Sequence, residues 1–237
     1  MTTMKKFLTA EWKDLLMANY LVEPELLADR VPEGTSLDFH DGKLFVSLVG
    51  FMFLNTRVLG VPVPFHVNFE EVNLRFYVRR ETADEVRRGV CFVKEIVPRT
   101  AIAAVARVLY GEPYECWSMD HTRTATEVGY RWNRSDIANA FGAEIDSDLG
   151  VPGNGSEGEF IIEHYWGYTK RSGDRTDEYK VEHPPWELFS VKNERIEVDF
   201  GATYGEKFAI LTNQKPHSVL LAKGSPIAVY KGAKMAG

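Results

Sequence analysis

The stretch NFEEVNLRFYVRR, at residues 68–80, has the clearest strand pattern of the chain. Polar and apolar side chains alternate there from Glu71 to Val78. Because successive side chains of a strand point to opposite faces, this pattern predicts a strand over 69–79 with one apolar and one polar face. The apolar face carries Val72, Leu74, Phe76 and Val78, and the polar face carries Glu71, Asn73, Arg75 and Tyr77.

The polar face of this strand is the first candidate site. Glu71, Asn73 and Arg75 place an acid, an amide and a cation at two-residue spacing. On an open sheet this row would be an ordinary solvated surface with a weak charge pair. In a closed barrel the same row would line a polar cavity, with Arg75 positioned for a carboxylate and Glu71 available for proton transfer. The sequence leaves both interpretations open.

Further elements are predicted on either side of this stretch. Upstream, Asp41-Gly42 separates two apolar segments and is typical of a tight hairpin turn. Downstream, a strand is predicted near 89–97 and short strands over 115–133. Between them, the alanine-rich residues 100–110 predict a helix that ends at Gly111.

The two ends of the chain contain weaker patterns. Apolar residues at helical spacing predict a helix over about residues 10–18. A short helix is predicted from Pro24 and ends before Pro32. Near the other end, IEVDFGATY (196–204) and SPIAVYKG (225–232) predict strands.

Residues 146–158 are rich in Gly, Pro and Asp and predict a surface loop. Residues 153–158 within it match the dinucleotide-binding pattern G-x-G-x-x-G. That pattern binds a pyrophosphate when a strand precedes it and a helix follows it. Polar turn formers precede it here and the following residues resemble a strand, so the sequence favours a flexible loop over a nucleotide site.

A hairpin is predicted between residues 159–169 and 176–184. If Thr169 pairs with Thr176, Trp166 lies opposite Tyr179, and the aromatic and histidine side chains share an inward face. A slip of one residue in this pairing is the alternative. His164 and His183 fall on that inward face, either as core histidines or as residues that bind a ligand or transfer a proton.

Composition excludes several classes of protein. Lysine and arginine number 28 against 34 aspartate and glutamate, a net charge of −6 that argues against nucleic-acid binding. Two cysteines, and a start without a signal-peptide pattern, predict a cytoplasmic protein. The longest uncharged run has 13 residues, too few for the roughly 20 that span a membrane. The six histidines match no metal-binding motif, so neither a metal nor a cofactor is expected.

The predicted elements define the fold class. Ten or more short strands and about three short helices occur without regular strand–helix alternation. The sequence therefore predicts one mainly β domain over residues 1–237, an antiparallel β-barrel or sandwich with flanking short helices.

Several ordered segments carry a family resemblance. They are NFEEVNLRFYVRR (68–80), RRGVCFVKEIVPRTAIAAVARVLYGEPY (87–114), IIEHYWGYT (161–169), GSPIAVYKG (224–232) and the opening WKDLLMANYLVEPELLADRVPEGTSLD (12–38). Over nearly the whole chain these segments resemble the YqjF-like family of uncharacterised bacterial proteins. The resemblance implies the acetoacetate-decarboxylase-like fold, a β-barrel with flanking helices.

The resemblance also implies a chemical difference. In acetoacetate decarboxylase one of two adjacent lysines forms a Schiff base with the keto acid. Tyr114 and Glu115 stand where that pair would be, and neither side chain can condense with a ketone. Lys94 is the nearest lysine, and we expect it beside Glu95 on a solvated edge. Glu71 lies in a segment similar to an acidic segment of the decarboxylase and would line the same cavity.

The sequence therefore predicts a barrel that binds a small organic carboxylate or carbonyl compound. The predicted ligand-binding residues are Glu71, Asn73, Arg75, Tyr114 and Trp166. One alternative is an enzyme of the lyase or isomerase type without a Schiff base, with Glu71 or His164 as the catalytic base. Another is a barrel that serves protein contacts alone. The sequence is compatible with a homo-oligomer and does not decide whether the protein is an enzyme.

Overall fold

The computed structural model describes residues 5–109, 111–171 and 175–235. These residues form fifteen strands: β1 Lys6–Leu21, β2 Ser36–Leu37, β3 Phe45–Val58, β4 Val61–Pro62, β5 Phe69–Glu81, β6 Val86–Val97, β7 Tyr114–Cys116, β8 Ser118–Arg123, β9 Glu127–Arg134, β10 Ile137–Gly150, β11 Trp166–Lys170, β12 Thr176–Glu182, β13 Leu188–Glu197, β14 Ser218–Tyr230 and β15 Ala233–Lys234.

Helices are few and short in this part of the chain. They are α1 Thr100–Leu109, α2 Glu157–Ile162, α3 Phe200–Tyr204 and two 3₁₀ helices, Pro24–Leu26 and Glu206–Leu211. No helix in the described ranges is long and apolar enough to cross a membrane. The architecture confirms the prediction of a mainly β protein with flanking short helices.

Seven strands pair into a closed ring. Their order around the ring is β1, β3, β5, β6, β11 and β12, followed by β14, which pairs with both β12 and β1. Neighbouring strands of the ring are antiparallel except β6 and β11, which are parallel. The sheet continues from β14 through β13, β10 and β9 to β8, outside the ring.

Two hydrophobic clusters pack against the strand ring, one on its outer face and one on its inner face. The outer cluster joins β5 side chains such as Leu74 and Phe76 to Tyr130 and Trp132 of β9. The inner cluster contains the remaining ring-facing side chains, including Met17, Val49, Phe51, Phe69 and Tyr77. β5 is therefore buried on both faces, and its polar row faces the interior of the ring.

A bulge in β6 sets which of its residues face inward. Arg75 pairs with Phe92 and Leu74 pairs with Lys94, so the pairing skips Val93. Val93 and Lys94 consequently both face outward, and Glu95 returns to the inner face. A bulge inserts one residue into one strand of a pair and so reverses the alternation beyond it.

Several predicted elements are confirmed. The strand predicted over 69–79 is β5, the one near 89–97 lies within β6, and the helix predicted over 100–110 is α1. Residue 110 lies outside the described residues. Asp41 and Gly42 both have positive φ, 48° and 74°, in a turn closed by pairing of His40 with Lys43. The segment before this turn pairs as β2 with β5, however, and does not extend a hairpin with β3.

The helix predicted over residues 10–18 is wrong, because this segment belongs to β1. Residues 15–20 of this strand are buried on both sides, with Leu15, Leu16 and Met17 each at most 1% exposed. Asp14 has φ 53°, and the register of β1 with β3 shifts between Lys13 and Leu16. A strand that is buried on both faces lacks the alternation of polar and apolar residues by which strands are recognised in a sequence. The register shift at Asp14 also interrupts the two-residue period of the remaining apolar residues.

Two predicted strands are partly helical. Residues 159–162, predicted as strand, belong to α2, whose N-cap Ser156 accepts a hydrogen bond from the Glu159 amide at 3.2 Å. Ser followed three residues later by Glu is a helix-start signal. Residues 200–204, also predicted as strand, form α3 behind the N-cap Asp199. The loop predicted over 146–158 is shorter than expected, because β10 continues to Gly150.

The predicted register of the β11–β12 hairpin is wrong by one residue. Thr176 pairs with Lys170, so Tyr179 lies opposite Gly167 and Trp166 lies opposite Lys180. A Cβ at Gly167 would lie 2.1 Å from the Tyr179 ring, so the ring takes the space that glycine leaves. Tyr179 therefore faces the ring interior without Trp166 beside it, and Trp166 belongs to the other face of the hairpin.

We expect that Gly50→Ala destabilises the protein by about 1–3 kcal/mol, the usual cost of overpacking a core. A Cβ at Gly50 would lie 2.5 Å from the ring of Tyr130, which is itself 2% exposed. Gly153→Ala is the matched control, because Gly153 has no heavy atom within 4 Å of such a Cβ. Urea unfolding of both variants measures the difference, and equal stabilities would contradict the close packing of β9 on the ring.

Candidate functional site

A cavity of about 260 Å³ lies inside the strand ring, and all seven ring strands contribute to its wall. Most of the wall is aromatic or aliphatic. Its largest apolar side chains are Phe7, Trp12, Phe51, Phe53, Phe69, Phe92, Trp166 and Trp186. Its polar side chains are His66, Glu71, Asn73, Arg75, Glu95, Glu112, Tyr114, His164, Tyr179 and His183. An apolar cavity with a few convergent polar groups is typical of small-molecule sites.

Strand register brings the polar groups together. Asn73 of β5 pairs with Glu95 of β6, and Glu95 pairs with Tyr114 of β7. These three side chains form a row across the sheet on its inner face. The residues next to them face the opposite way, and there Lys94 pairs with Glu115 at 2.8 Å.

Glu71 is held by two donors. Asn73 Nδ2 donates to Glu71 Oε1 at 2.9 Å, and the Tyr114 hydroxyl donates to Oε2 at 3.0 Å. Burial raises the pKa of Glu71 to about 7, although these two hydrogen bonds and the charge of Arg75 oppose the rise. Glu71 therefore changes protonation near neutral pH, as a residue that transfers protons must.

Glu95 and Glu112 are two further buried carboxyl groups, and the sequence pattern predicts neither of them in the cavity. Glu112 accepts one hydrogen bond from the Tyr179 hydroxyl at 2.6 Å and another from the protonated Glu95 carboxyl. Burial raises the pKa of Glu112 to about 7 and that of Glu95 well above its usual range. The expectation that Glu95 lies on a solvated edge beside Lys94 is wrong, because Glu95 is 2% exposed.

Arg75 is a buried cation without an ion pair among the described residues. One guanidinium nitrogen, Nη2, donates to the Ile161 carbonyl at 3.1 Å, and the guanidinium lies 5.6 Å from the centre of the Tyr77 ring. Its Nε is buried and has no acceptor. A guanidinium prefers two parallel hydrogen bonds to one carboxylate, and nothing in the described protein supplies them.

His164 and His183 also border the cavity. The Nε2 atom of His164 lies 3.4 Å from Asp38 Oδ2, and Asp38 also pairs with Arg88 at 2.7 Å. Burial lowers the pKa of His164 to about 4, so its ring is neutral at pH 7. His183 stacks on Trp186 with ring centres 4.1 Å apart, and burial lowers its pKa to about 4 as well.

The predicted ligand-binding residues therefore do not all lie in one cluster. Glu71, Asn73 and Tyr114 are linked by hydrogen bonds, and Arg75 follows Asn73 on the same face. Trp166 reaches the cavity wall, but its ring lies 4.2 Å from the Arg87 guanidinium, on the face opposite Tyr179. Lys94 is not among the cavity residues, and no lysine lines the cavity in the described ranges.

Solved structures define the fold class. Acetoacetate decarboxylase from Legionella pneumophila matches 100% of this chain and 90% of its own, with TM-score 0.68 and 11% identity. The enduracididine biosynthesis enzyme MppR complexed with pyruvate matches 100% of this chain and 92% of its own, with TM-score 0.68 and 13% identity. The chain therefore has the acetoacetate-decarboxylase-like fold, as its sequence predicted.

The family follows from sequence. The uncharacterized protein YqjF of Bacillus subtilis is 24% identical over 223 residues, which cover 92% of this chain and 85% of that protein. The DUF2071 family model, described as an uncharacterized conserved protein, matches residues 9–226. The chain belongs to this family, which confirms the resemblance seen in its segments.

We expect that Glu71→Gln changes the pH dependence of stability. The pKa of Glu71 is about 7 in the folded protein against 4.5 for the ordinary group, so its contribution to stability is lost as pH rises through 7. Relative to the wild type, the variant should be more stable at pH 8 than at pH 5 by on the order of 3 kcal/mol. Urea unfolding at both pH values measures this. Glu81→Gln, at an exposed position of β5, is the control, and parallel curves for Glu71→Gln and the wild type would contradict the prediction.

We also expect no Schiff base with acetoacetate. Iminium formation needs a neutral amine in the cavity, and the Lys94 ammonium is ion-paired with Glu115 on the outer face. Borohydride treatment in the presence of acetoacetate, followed by intact mass measurement, should show no stoichiometric adduct. An adduct mapped to a single lysine would overturn this prediction.

Proposed function

We propose that the protein binds a small organic carboxylate or carbonyl compound in the ring cavity. The observation that carries the proposal is Arg75, a buried cation that borders the cavity and lacks an ion pair among the described residues. Taking a charge out of water costs several kcal/mol unless a partner compensates for it. A ligand carboxylate would supply that partner through charge-assisted hydrogen bonds.

The apolar wall supports the same proposal. Aromatic side chains of β1 and β3 would cover the carbon skeleton of the ligand, and burying that skeleton contributes about 25 cal/mol per Å². The cavity is small, which favours a compact ligand over a nucleotide-sized one. MppR, a protein of similar fold, was solved with pyruvate, itself a small carboxylate with a carbonyl group.

An enzyme is the second candidate function, and the titration of Glu71 near neutral pH favours it. Glu71 would act as the base that removes a proton next to a carbonyl, and the Tyr114 hydroxyl would stabilise the resulting oxyanion. His164 is the other candidate base, and its ring is neutral at pH 7. Such chemistry belongs to lyases or isomerases and needs no Schiff base.

We further propose that the chain acts as one domain over residues 1–237, in the cytoplasm and without nucleic acid. The outer hydrophobic cluster joins the ring to β9 and β10, which supports one shared core. The net charge of −6 disfavours a phosphate backbone as partner.

Binding of pentanoate tests the role of Arg75. We expect saturable binding by isothermal titration calorimetry, and no binding of pentanamide, which has the same shape without the charge. Arg75→Gln should weaken binding about 10- to 100-fold, the usual range for a hydrogen bond to a charged group. Arg79→Gln is the matched control, because Arg79 is exposed on the same strand. Equal affinity for pentanoate and pentanamide would contradict the proposal.

A metabolite screen tests the enzyme. Compounds that raise the melting temperature should be assayed for turnover with the wild type and Glu71→Gln. An enzyme of this kind should lose most of its turnover in Glu71→Gln and still bind the compound. Saturable binding with no turnover by either protein would exclude the enzyme and leave a binding protein.

A further inference from the structure

Two hydrogen-bond acceptors in the cavity have no donor. Asn73 Oδ1 and Glu95 Oε2 are buried and unpartnered, and each residue is 2% exposed. The orientation of the Asn73 amide follows from its other bond, because Nδ2 donates to the Glu71 carboxylate. Asn73 and Glu95 are cross-strand neighbours, so the two free acceptors belong to adjacent side chains of one row. Buried acceptors are almost always paired in folded proteins, and these two therefore indicate a missing donor.

The charge around these acceptors indicates what kind of donor fits. Glu71, Glu95 and Glu112 are three buried carboxyl groups, and the charge of Glu112 raises the pKa values of both Glu71 and Glu95. The cation that acts on Glu71 is Arg75, and the cation that acts on Glu112 is Arg171. No described lysine lines the cavity. A donor that also carries positive charge satisfies both the acceptors and this local excess of acid.

The opposite requirement holds at Arg75, where a buried donor, Nε, lacks an acceptor. Asn73 and Arg75 lie two residues apart on the same face of β5, so their Cα atoms are about 7 Å apart. The Arg75 guanidinium donates to the Ile161 carbonyl on α2. The cavity wall consequently carries two unpartnered acceptors and, two residues further along β5, a donor cation.

We infer that the ligand is an amino carboxylate, with its carboxylate on Arg75 and an ammonium group several methylenes away on Asn73 Oδ1 and Glu95 Oε2. This inference rests on the proposed function and adds a second charged group, the ammonium, to the ligand. The apolar wall between the two ends accepts the methylene chain. A chain of about five carbon atoms matches the spacing along β5.

Binding of such a ligand is coupled to protons. The groups that act on the buried carboxyls around these acceptors are Glu71 and Arg75 on β5, Glu95 on β6, Cys91 on the outer face of β6, Glu112 and Tyr114 around the start of β7, Thr169 on β11, Arg171 after β11, and Tyr179 on β12. Of these, Glu71 and Glu112 have pKa values of about 7. An ammonium group favours their ionised forms and stays charged below about pH 10. Its affinity therefore rises from pH 6 to pH 8, whereas a plain carboxylate binds less tightly as the carboxyl groups ionise.

Calorimetry with 5-aminopentanoate and pentanoate, at pH 6 and pH 8, tests the inference. At pH 8 we expect 5-aminopentanoate to bind at least about tenfold more tightly than pentanoate. At pH 6 the difference in affinity between the two compounds should be smaller. Titration in two buffers of different ionisation enthalpy should show proton release with the amino compound and proton uptake with pentanoate. This measurement uses the wild type and does not depend on how any variant folds.

Glu95→Leu is the matched variant, because it removes the Glu95 acceptor and leaves a side chain of similar size. It should lose the advantage of 5-aminopentanoate and keep its affinity for pentanoate, while Glu81→Gln should change neither. Pentanoate binding with no gain from the amino group, or a gain that survives Glu95→Leu, would overturn the inference and leave the proposed function intact. Failure of both compounds to bind would overturn both.

Discussion

Burial of β5 on both faces is the constraint on which the cavity depends. Its even-numbered side chains, such as Leu74 and Phe76, join the outer cluster, so its odd-numbered side chains must point into the ring. A strand in this position cannot shift by one residue without moving leucine and phenylalanine into the cavity and charged groups into the core. The packing of the outer sheet thereby fixes the orientation of Glu71, Asn73 and Arg75.

The fold could be predicted wherever local pattern and tertiary packing agree. β5 alternates cleanly, and α1 is rich in alanine, so both were predicted close to their observed bounds. β1 could not be recognised, because burial on both faces gives a continuous apolar run and the shift at Asp14 breaks its phase. The register of β11 with β12 depends on the fit of the Tyr179 ring over Gly167, a contact between residues that propensity does not describe.

The candidate site could be predicted only in part. Alternation along β5 indicated the row that contains Glu71 and Arg75, and the family resemblance indicated Tyr114. Glu95 and Glu112 were missed because the β6 bulge reverses the expected direction of Glu95, and Glu112 reaches the site from the loop before β7. Burying three carboxyl groups opposes folding, and such local conflicts in natural proteins concentrate at functional sites.

The bulge at Val93 also determines whether β6 places an acidic or a basic side chain in the cavity. Lys94 and Glu95 are adjacent, and a regular strand through Phe92 would turn the lysine inward and the glutamate outward. β6 thus contains both a positive and a negative side chain at this point, and the bulge in its backbone determines that the glutamate faces the cavity. Within this fold, deletion of Val93 would remove the bulge and still leave the Glu95 carboxyl in the cavity, whereas a regular strand of the present length would put the Lys94 ammonium there.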